Sequence, residues 1–574
     1  MATGKIHYEI HIKPAKGKWK MAGVMQSRDA AIRHARELSG GGVAVQVTKE
    51  THQPNEGNYL SVCIFREGMT NNWSRDPNAG KVDLVEALPC FQPGDLYSFE
   101  SRQTIARLLR DSLARWRITP LELLHHPGHL ERLESTGTVL QAAVQKVAIA
   151  QSQAGEGSVA ERVKTLHKLI SDAMKIVFVD HGKNKLPTFD ENDFTALTEK
   201  LDGHPRSEYL LNAAIAHELE QCESWDRKLS TVLQWITELP ANETTKRQAL
   251  TSIDGFVAEI MSASSAVKDI LGQQESLGDA ITLLVRLFSG QLADGNNLGA
   301  GVLALNRYLA TDRLPQSKMA IAGRILTELE SNQRLAPNSI DDELVVTKKI
   351  GAQITLASNN FLPQEQVLDA FRERTKRFLV PETLEQILAG AENPAQRVGK
   401  LIMLSEHLVG NANRRQLAKI LTGMVTEHAL NSYFTSDATP VSERLRQLTA
   451  LQEKVLQSEI DGAAKREATE RFDYLCTSIM TSHDLLEKMI RSQPNAHDKA
   501  LALLKLAASD MLTRGKARET AQRQALSYLR EPGVLTEYLG GNGNQAEGRK
   551  KELSILLQQA GIDPHTVLGQ SVAA

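Results

Sequence analysis

Cysteine is scarce, and the few that occur, Cys63, Cys90, Cys222 and Cys476, stand far apart with no Cys-x-x-Cys pair among them. A metal knuckle or a redox motif needs two thiols within reach of each other, so these four are expected to be reduced core thiols in a cytosolic protein. Aromatic residues are also few, 5% of a chain that is 41% apolar. The core must therefore be built from Leu, Ala, Ile and Val, the habit of helix-packed proteins. Neither sign of charge dominates, with 67 basic against 69 acidic residues, so no global field draws the chain to nucleic acid or to a membrane. No apolar run approaches the roughly 18 residues of a spanning helix. The early apolar residues alternate with charges instead of forming a signal-peptide block. A cytoplasmic protein without membrane insertion is the expectation.

Complete catalytic and ligand-binding motifs are missing too. His217 and Glu218 open like a zinc-protease helix, but the second histidine is replaced by Gln221. Gly543 and Gly548 have phosphate-loop spacing, yet Arg549, Lys550 and Lys551 follow where a Lys-Ser/Thr pair is needed. Asp190, Asn192 and Asp193 start like a calcium loop that then carries Thr195 in place of glycine and Leu201 in place of glutamate. His125, His126 and His129 cluster around Pro127 and Gly128, three imidazoles that can hold a transition metal weakly, with no carboxylate or cysteine close in sequence. Asp180 and His181 follow the apolar run 176–179, which looks like a strand end, but no nucleophile stands beside them. No catalytic residue, metal or cofactor is assigned from sequence.

What the chain does have is helical periodicity. Within 394–538, three segments repeat one phrase: Arg397, Val398, Leu401, Leu404; then Arg444, Leu445, Leu448, Leu451; then Lys499, Ala500, Leu503, Leu506. A second helix follows each after a loop containing Gly410, Gly462 or Gly515, and a proline precedes each unit. Apolar residues three apart share a helical face, so each unit is a hairpin that cannot bury its stripe alone. Stacking such hairpins at a period of roughly 40 to 50 residues is the solution of HEAT-like solenoids. Arg162, Val163, Leu166 and Leu169 carry the same phrase far upstream.

The first 68 residues differ in kind. Ile6, Tyr8, Ile10 and Ile12 alternate with His7, Glu9 and His11, the pattern of a half-buried strand. Strands near Trp19, at 43–47 and at 60–64, with a helix from Ser27 to Leu38, complete a ββαββ order. His7 and His11 share a face but lie about 13 Å apart along a strand, too far to chelate one ion.

The fold class expected is therefore mainly α: a long HEAT-like, solenoid-like body of helical hairpins carrying a small N-terminal α/β module. The expected boundaries are 1–68 for the module, 69–98 for a linker, 99–150 for a helical hairpin region, 158–290 and 301–538 for two helical subdomains, and 549–574 for a terminal helix and tail. Such a body suits a non-enzymatic protein–protein interaction scaffold or regulatory adaptor, with protein partners or a second copy of itself. Arg162, Arg397 and Arg444 are the partner-contact candidates. The alternative is a nucleic-acid-associated regulator using Lys16, Lys18 and Trp19 of the first hairpin with Arg107, Arg110 and Arg117 of a following helix. A third class is an enzyme whose site is assembled from distant helices.

Overall fold

The computed structural model describes residues 6–13, 19–39, 43–52, 59–67, 87–153, 157–189, 193–293, 298–540 and 543–568. The N-terminal module is the expected ββαββ unit: β1 (Ile6–Lys13), β2 (Lys20–Met25), α1 (Arg28–Leu38), β3 (Ala44–His52) and β4 (Tyr59–Glu67). The sheet is antiparallel throughout, in the order β2-β1-β3-β4. Ile10, Val45 and Val47 pack against Ala31 and Ala35 of α1. Opposite β3, Phe65 faces Val47 while Cys63 faces Thr48. Ile64 is thus the extra residue of a β-bulge, which lets both Ile64 and Phe65 enter the core.

After the module the described residues are helical, with 29 α-helices in all. Those that build the site are α2 (Phe99–Leu108), α3 (Arg110–Trp116), α4 (Pro120–His125), α5 (Pro127–Ser135), α6 (Thr138–Gln153), α7 (Val159–Gly182), α8 (Phe194–Lys200), α9 (Ser207–Glu220), α10 (Trp225–Gln234) and α11 (Glu243–Ser262). No helix among the described residues is long and apolar enough to cross a membrane.

The run 176–179 is not a strand. It lies inside α7, which starts at a Ser158–Glu161 capping box and stays helical to Gly182. Leu166, Leu169, Ala173 and Val177 form one buried stripe at helical spacing, while Ile176 and Val179 are each 40% exposed. Burial of that stripe overrides the local β preference of Ile and Val.

The chain forms two compact units: residues up to Pro337 with Val346–Ala370, and Asn338–Val345 with Phe371 onward. The second contains the three phrases as helix pairs, Pro394–Leu404 with Asn411–Thr426, Val441–Gln457 with Gly462–Ser482, and Ala496–Ala508 with Lys516–Leu529. The members of each pair pack on each other, and a continuous leucine-rich core joins them.

Two helices begin without a cap of their own and take one from a buried acid far away in sequence, and a third, α4, adds such an acid to its own Thr119–Glu122 capping box. Helix Pro315–Glu330 has Leu314 at its N-cap position, which offers no side-chain acceptor. Asp254 of α11 replaces it, accepting from the Gln316 and Ser317 amides at 2.7 and 2.9 Å and from the Ser317 hydroxyl at 2.6 Å. Helix Lys516–Leu529 starts after Gly515, and Asp473 accepts from the Lys516 and Ala517 amides at 2.7 and 3.1 Å. Gly515 has φ +135°, and a Cβ there would sit 2.5 Å from the Asp473 carboxylate, so both the conformation and the approach require glycine. At α4, Glu259 accepts from the Leu121 amide at 2.7 Å and from Arg102 at 2.6 Å. These bonds satisfy amides that a helix start leaves open, at its positive end.

Burial raises Asp254 from the ordinary aspartate value of 3.8 to about 6, against the lowering effect of its Ser317 and Gln316 bonds. Between those two values the folded chain keeps a proton that the unfolded chain releases. This group's contribution to stability therefore falls as pH rises through that window and is constant above it. In Asp254→Asn the dependence is absent, so the variant's stability relative to the parent is expected to rise by about 3 kcal/mol between about pH 4 and pH 6.5 in denaturant titrations. A pH-independent difference would refute this assignment. A second buried acid, Glu122, pairs with Lys228, which also donates to the Arg117 carbonyl at 2.7 Å; both side chains are almost fully buried. Lys228→Met is expected to cost about 4 kcal/mol by stranding Glu122, and adding Glu122→Gln should restore a large part of it, measured by a double-mutant cycle.

Candidate metal centre

The sequence around α4 and α5 forces a sharp junction. His126 precedes Pro127, and a residue before proline is pushed out of the helical region; His126 accordingly has φ −112°, ψ 124°. Pro127 then opens α5, where its missing N–H costs nothing. His126 is the N-cap of α5 and His129 lies one turn further on, so their rings meet at 4.5 Å between centroids.

The partner surface is the end of α9, which packs against α4. Buried residues on that helix include Leu210, Leu211 and the run 213–216, while His217 and Glu220 fall together on its outer side, three positions apart. Glu220 Oε2 lies 3.0 Å from His126 Nε2. The His217 ring stacks on that of His126 at 5.7 Å, with 19° between planes. One donor atom from each of His126, His129 and Glu220 lies within 4.8 Å of the others.

The electrostatics keep the imidazoles unprotonated. Both imidazoles are more than nine-tenths buried. Burial pushes His129 down to about 3, with the His126, Lys228 and Arg132 charges acting in the same direction. His126 is lowered as well, burial outweighing the opposing pull of Glu220. Neutral imidazoles present lone pairs at neutral pH, and His126 Nδ1 and His129 Nε2 have no hydrogen-bond partner within the chain. Two imidazole nitrogens and a carboxylate oxygen form a donor set suited to zinc and related divalent transition ions.

Of the three clustered histidines, the structure brings His126 and His129 together and turns His125 away. His125 Nδ1 is 2.8 Å from the Leu121 carbonyl, its ring packs on Tyr97 and Tyr209, and burial lowers it to about 4. Glu220 carries no local motif, and the one sequence signal for it is its three-residue spacing from His217 on a helix. The incomplete zinc-protease opening at His217 thus contributes to a cluster through Glu220, not through Gln221. On β1, the imidazoles of His7 and His11 both lean on Glu9, at 3.3 and 3.5 Å.

The arginines singled out for partner contact hold internal positions or a surface ion pair. Arg162 is 5% exposed; it bonds Gln151 and the Cys90 carbonyl and lies 5.7 Å over the Phe91 ring. Arg444 is 1% exposed and donates to the Phe434 carbonyl at 3.0 Å, with Asp437 and His483 beside it. Arg397 donates to both carboxylate oxygens of Glu385, at 2.9 and 3.0 Å, on the surface. Arg107 closes α2, Arg110 opens α3, and Arg117 stands after α3 with φ 56°, its guanidinium on the Glu223 carbonyl. The break at Leu109 means that these three do not share one continuous helix. Trp19 is half-buried, and Lys16 and Lys18 lie outside the described residues.

Gly128 shapes the site from its exposed side. A Cβ there would lie 3.3 Å from His126 Cε1 and 3.9 Å from Glu220 Oε1. Gly128→Val is expected to displace the His126 ring and weaken zinc binding about tenfold in calorimetric titration, with far-UV circular dichroism unchanged. Unaltered affinity would remove this residue from the site. Comparison of the chain with protein-family models, curated proteins and solved structures finds no match, so the chemistry of the site rests on its own residues.

Proposed function

We propose that the protein is a non-enzymatic helical interaction protein, a scaffold or regulatory adaptor, in which a divalent transition ion of the zinc class ties the start of α5 to the end of α9. The observation that carries this reading is the convergence of His126, His129 and Glu220, with two buried imidazole nitrogens left without partners. His217, stacked on His126 one turn before Glu220, lies beside the three donors and would supply a fourth on turning its ring toward them. With that fourth protein donor the site would be closed and brace structure, whereas hydrolytic sites keep one position for water. The helix pairs from Pro394 to Leu529 support a stacked, HEAT-like array as the partner-binding body, because each pair buries its leucine stripe against the next.

The purified full-length protein is expected to bind one zinc ion per chain, read by calorimetry and elemental analysis. His129→Ala and Glu220→Gln should each weaken binding roughly 100-fold, and His217→Ala roughly tenfold. Cobalt substitution should give the intense visible bands of a tetrahedral ion. Metal uptake unaffected by His129→Ala and Glu220→Gln would sink the proposal, and a water-coordinated cobalt spectrum unaltered by His217→Ala would replace the bracing role with an open, reactive one.

A further inference from the structure

On the far side of α4 and α5 from the histidines, the core of the first unit is divided. One cluster of buried residues contains Leu109, Leu123, Leu130, Leu133 and Met174. Another contains Cys90, Leu96, Val144, Leu166 and Ala173. Between them lies a cavity of about 110 Å³, walled by members of both. Among the described residues, only the partly buried Leu140 and Ile170 pack against both clusters. Native cores are close-packed and leave few voids larger than a water molecule, so a gap of this size between two well-buried half-cores calls for an occupant.

Water is a poor one. Most polar residues in the wall bond elsewhere: Gln151 to Arg162 and the Leu88 carbonyl, Thr104 to the Glu100 carbonyl, Ser101 to Ser98, and Cys90 to the Leu88 carbonyl, while the Tyr97 ring packs on His125 and Tyr209. A cavity lined this predominantly by apolar side chains stays dry and takes hydrocarbon. The wall is not sealed either. Ile105, Leu108, Leu140 and Val147 are only half-buried, so one side of the cavity reaches towards solvent. An enclosed apolar interior with one open side suits a chain whose polar end remains in water.

We propose that the cavity between α2 and α4–α7 binds a single aliphatic chain, such as that of a medium-chain carboxylate, with its head group outside. This site is independent of the metal reading and stands or falls without it. The test is calorimetric titration of the full-length protein with straight-chain carboxylates from butanoate to dodecanoate, with benzene as a compact apolar control. The expected result is saturable binding with an optimum chain length. In Ala143→Phe, where a ring enters the cavity from α6, affinity is expected to fall at least about tenfold. Leu133→Ala, which widens the cavity, is expected to move the optimum to a longer chain, and this readout serves if the filled variant does not fold. Binding of benzene alone would reduce the cavity to a packing gap and overturn the proposal. Carboxylate binding that both variants leave unaltered would place the ligand elsewhere and overturn it as well.

Discussion

A carboxylate withdrawn from water has to be met by donors, and a helix start has amides with no partner in its own turn. The chain solves both problems with one bond, repeated in each unit. Asp254 and Glu259 leave α11 to cap helix Pro315–Glu330 and α4, and Asp473 caps helix Lys516–Leu529. Each bond spans many residues of sequence, so it fixes how one helical hairpin meets another, where leucine contacts alone would tolerate sliding. Burying an acid is costly when it lacks donors, which makes these positions stringent about register.

The cluster of His126, His129 and Glu220 inherits its geometry from that arrangement. Glu259 holds the first turn of α4, and Glu122 anchors the same turn to Lys228 of α10. With α4 held at both points, the His126–Pro127 junction has one place to turn, and His129 follows it onto the end of α9. The same short segment therefore serves two surfaces. Its polar side gathers imidazoles against Glu220, and its apolar side, through Leu130 and Leu133, walls the cavity. The Lys228 charge that neutralises Glu122 also helps to keep His129 unprotonated.

Much of the local structure was legible. Strict alternation at Ile6, Tyr8, Ile10 and Ile12 marks a strand, and the Thr119–Pro120–Glu122 capping box marks the start of α4. The run 176–179 misleads because β-branched residues look alike in a strand and on a buried helix until the longer stripe from Leu166 to Val177 is weighed. Arg162 and Arg444 look like surface cations since charge alone does not report burial. Their carbonyl and amide partners, Cys90, Gln151 and Phe434, are set by packing.

By itself the sequence determined the helical character of the body, the ββαββ module and the crowding of His125, His126 and His129 around Pro127, because these depend on periods of two to four residues and on the conformational limits of proline. Only the tertiary structure decided that Glu220 would join the imidazoles, that remote acids would cap helices lacking their own acceptors, and that a void would part the core behind them. Those outcomes depend on which side chains meet across large separations in the chain, and such meetings are governed by burial and donor–acceptor matching, not by local spacing.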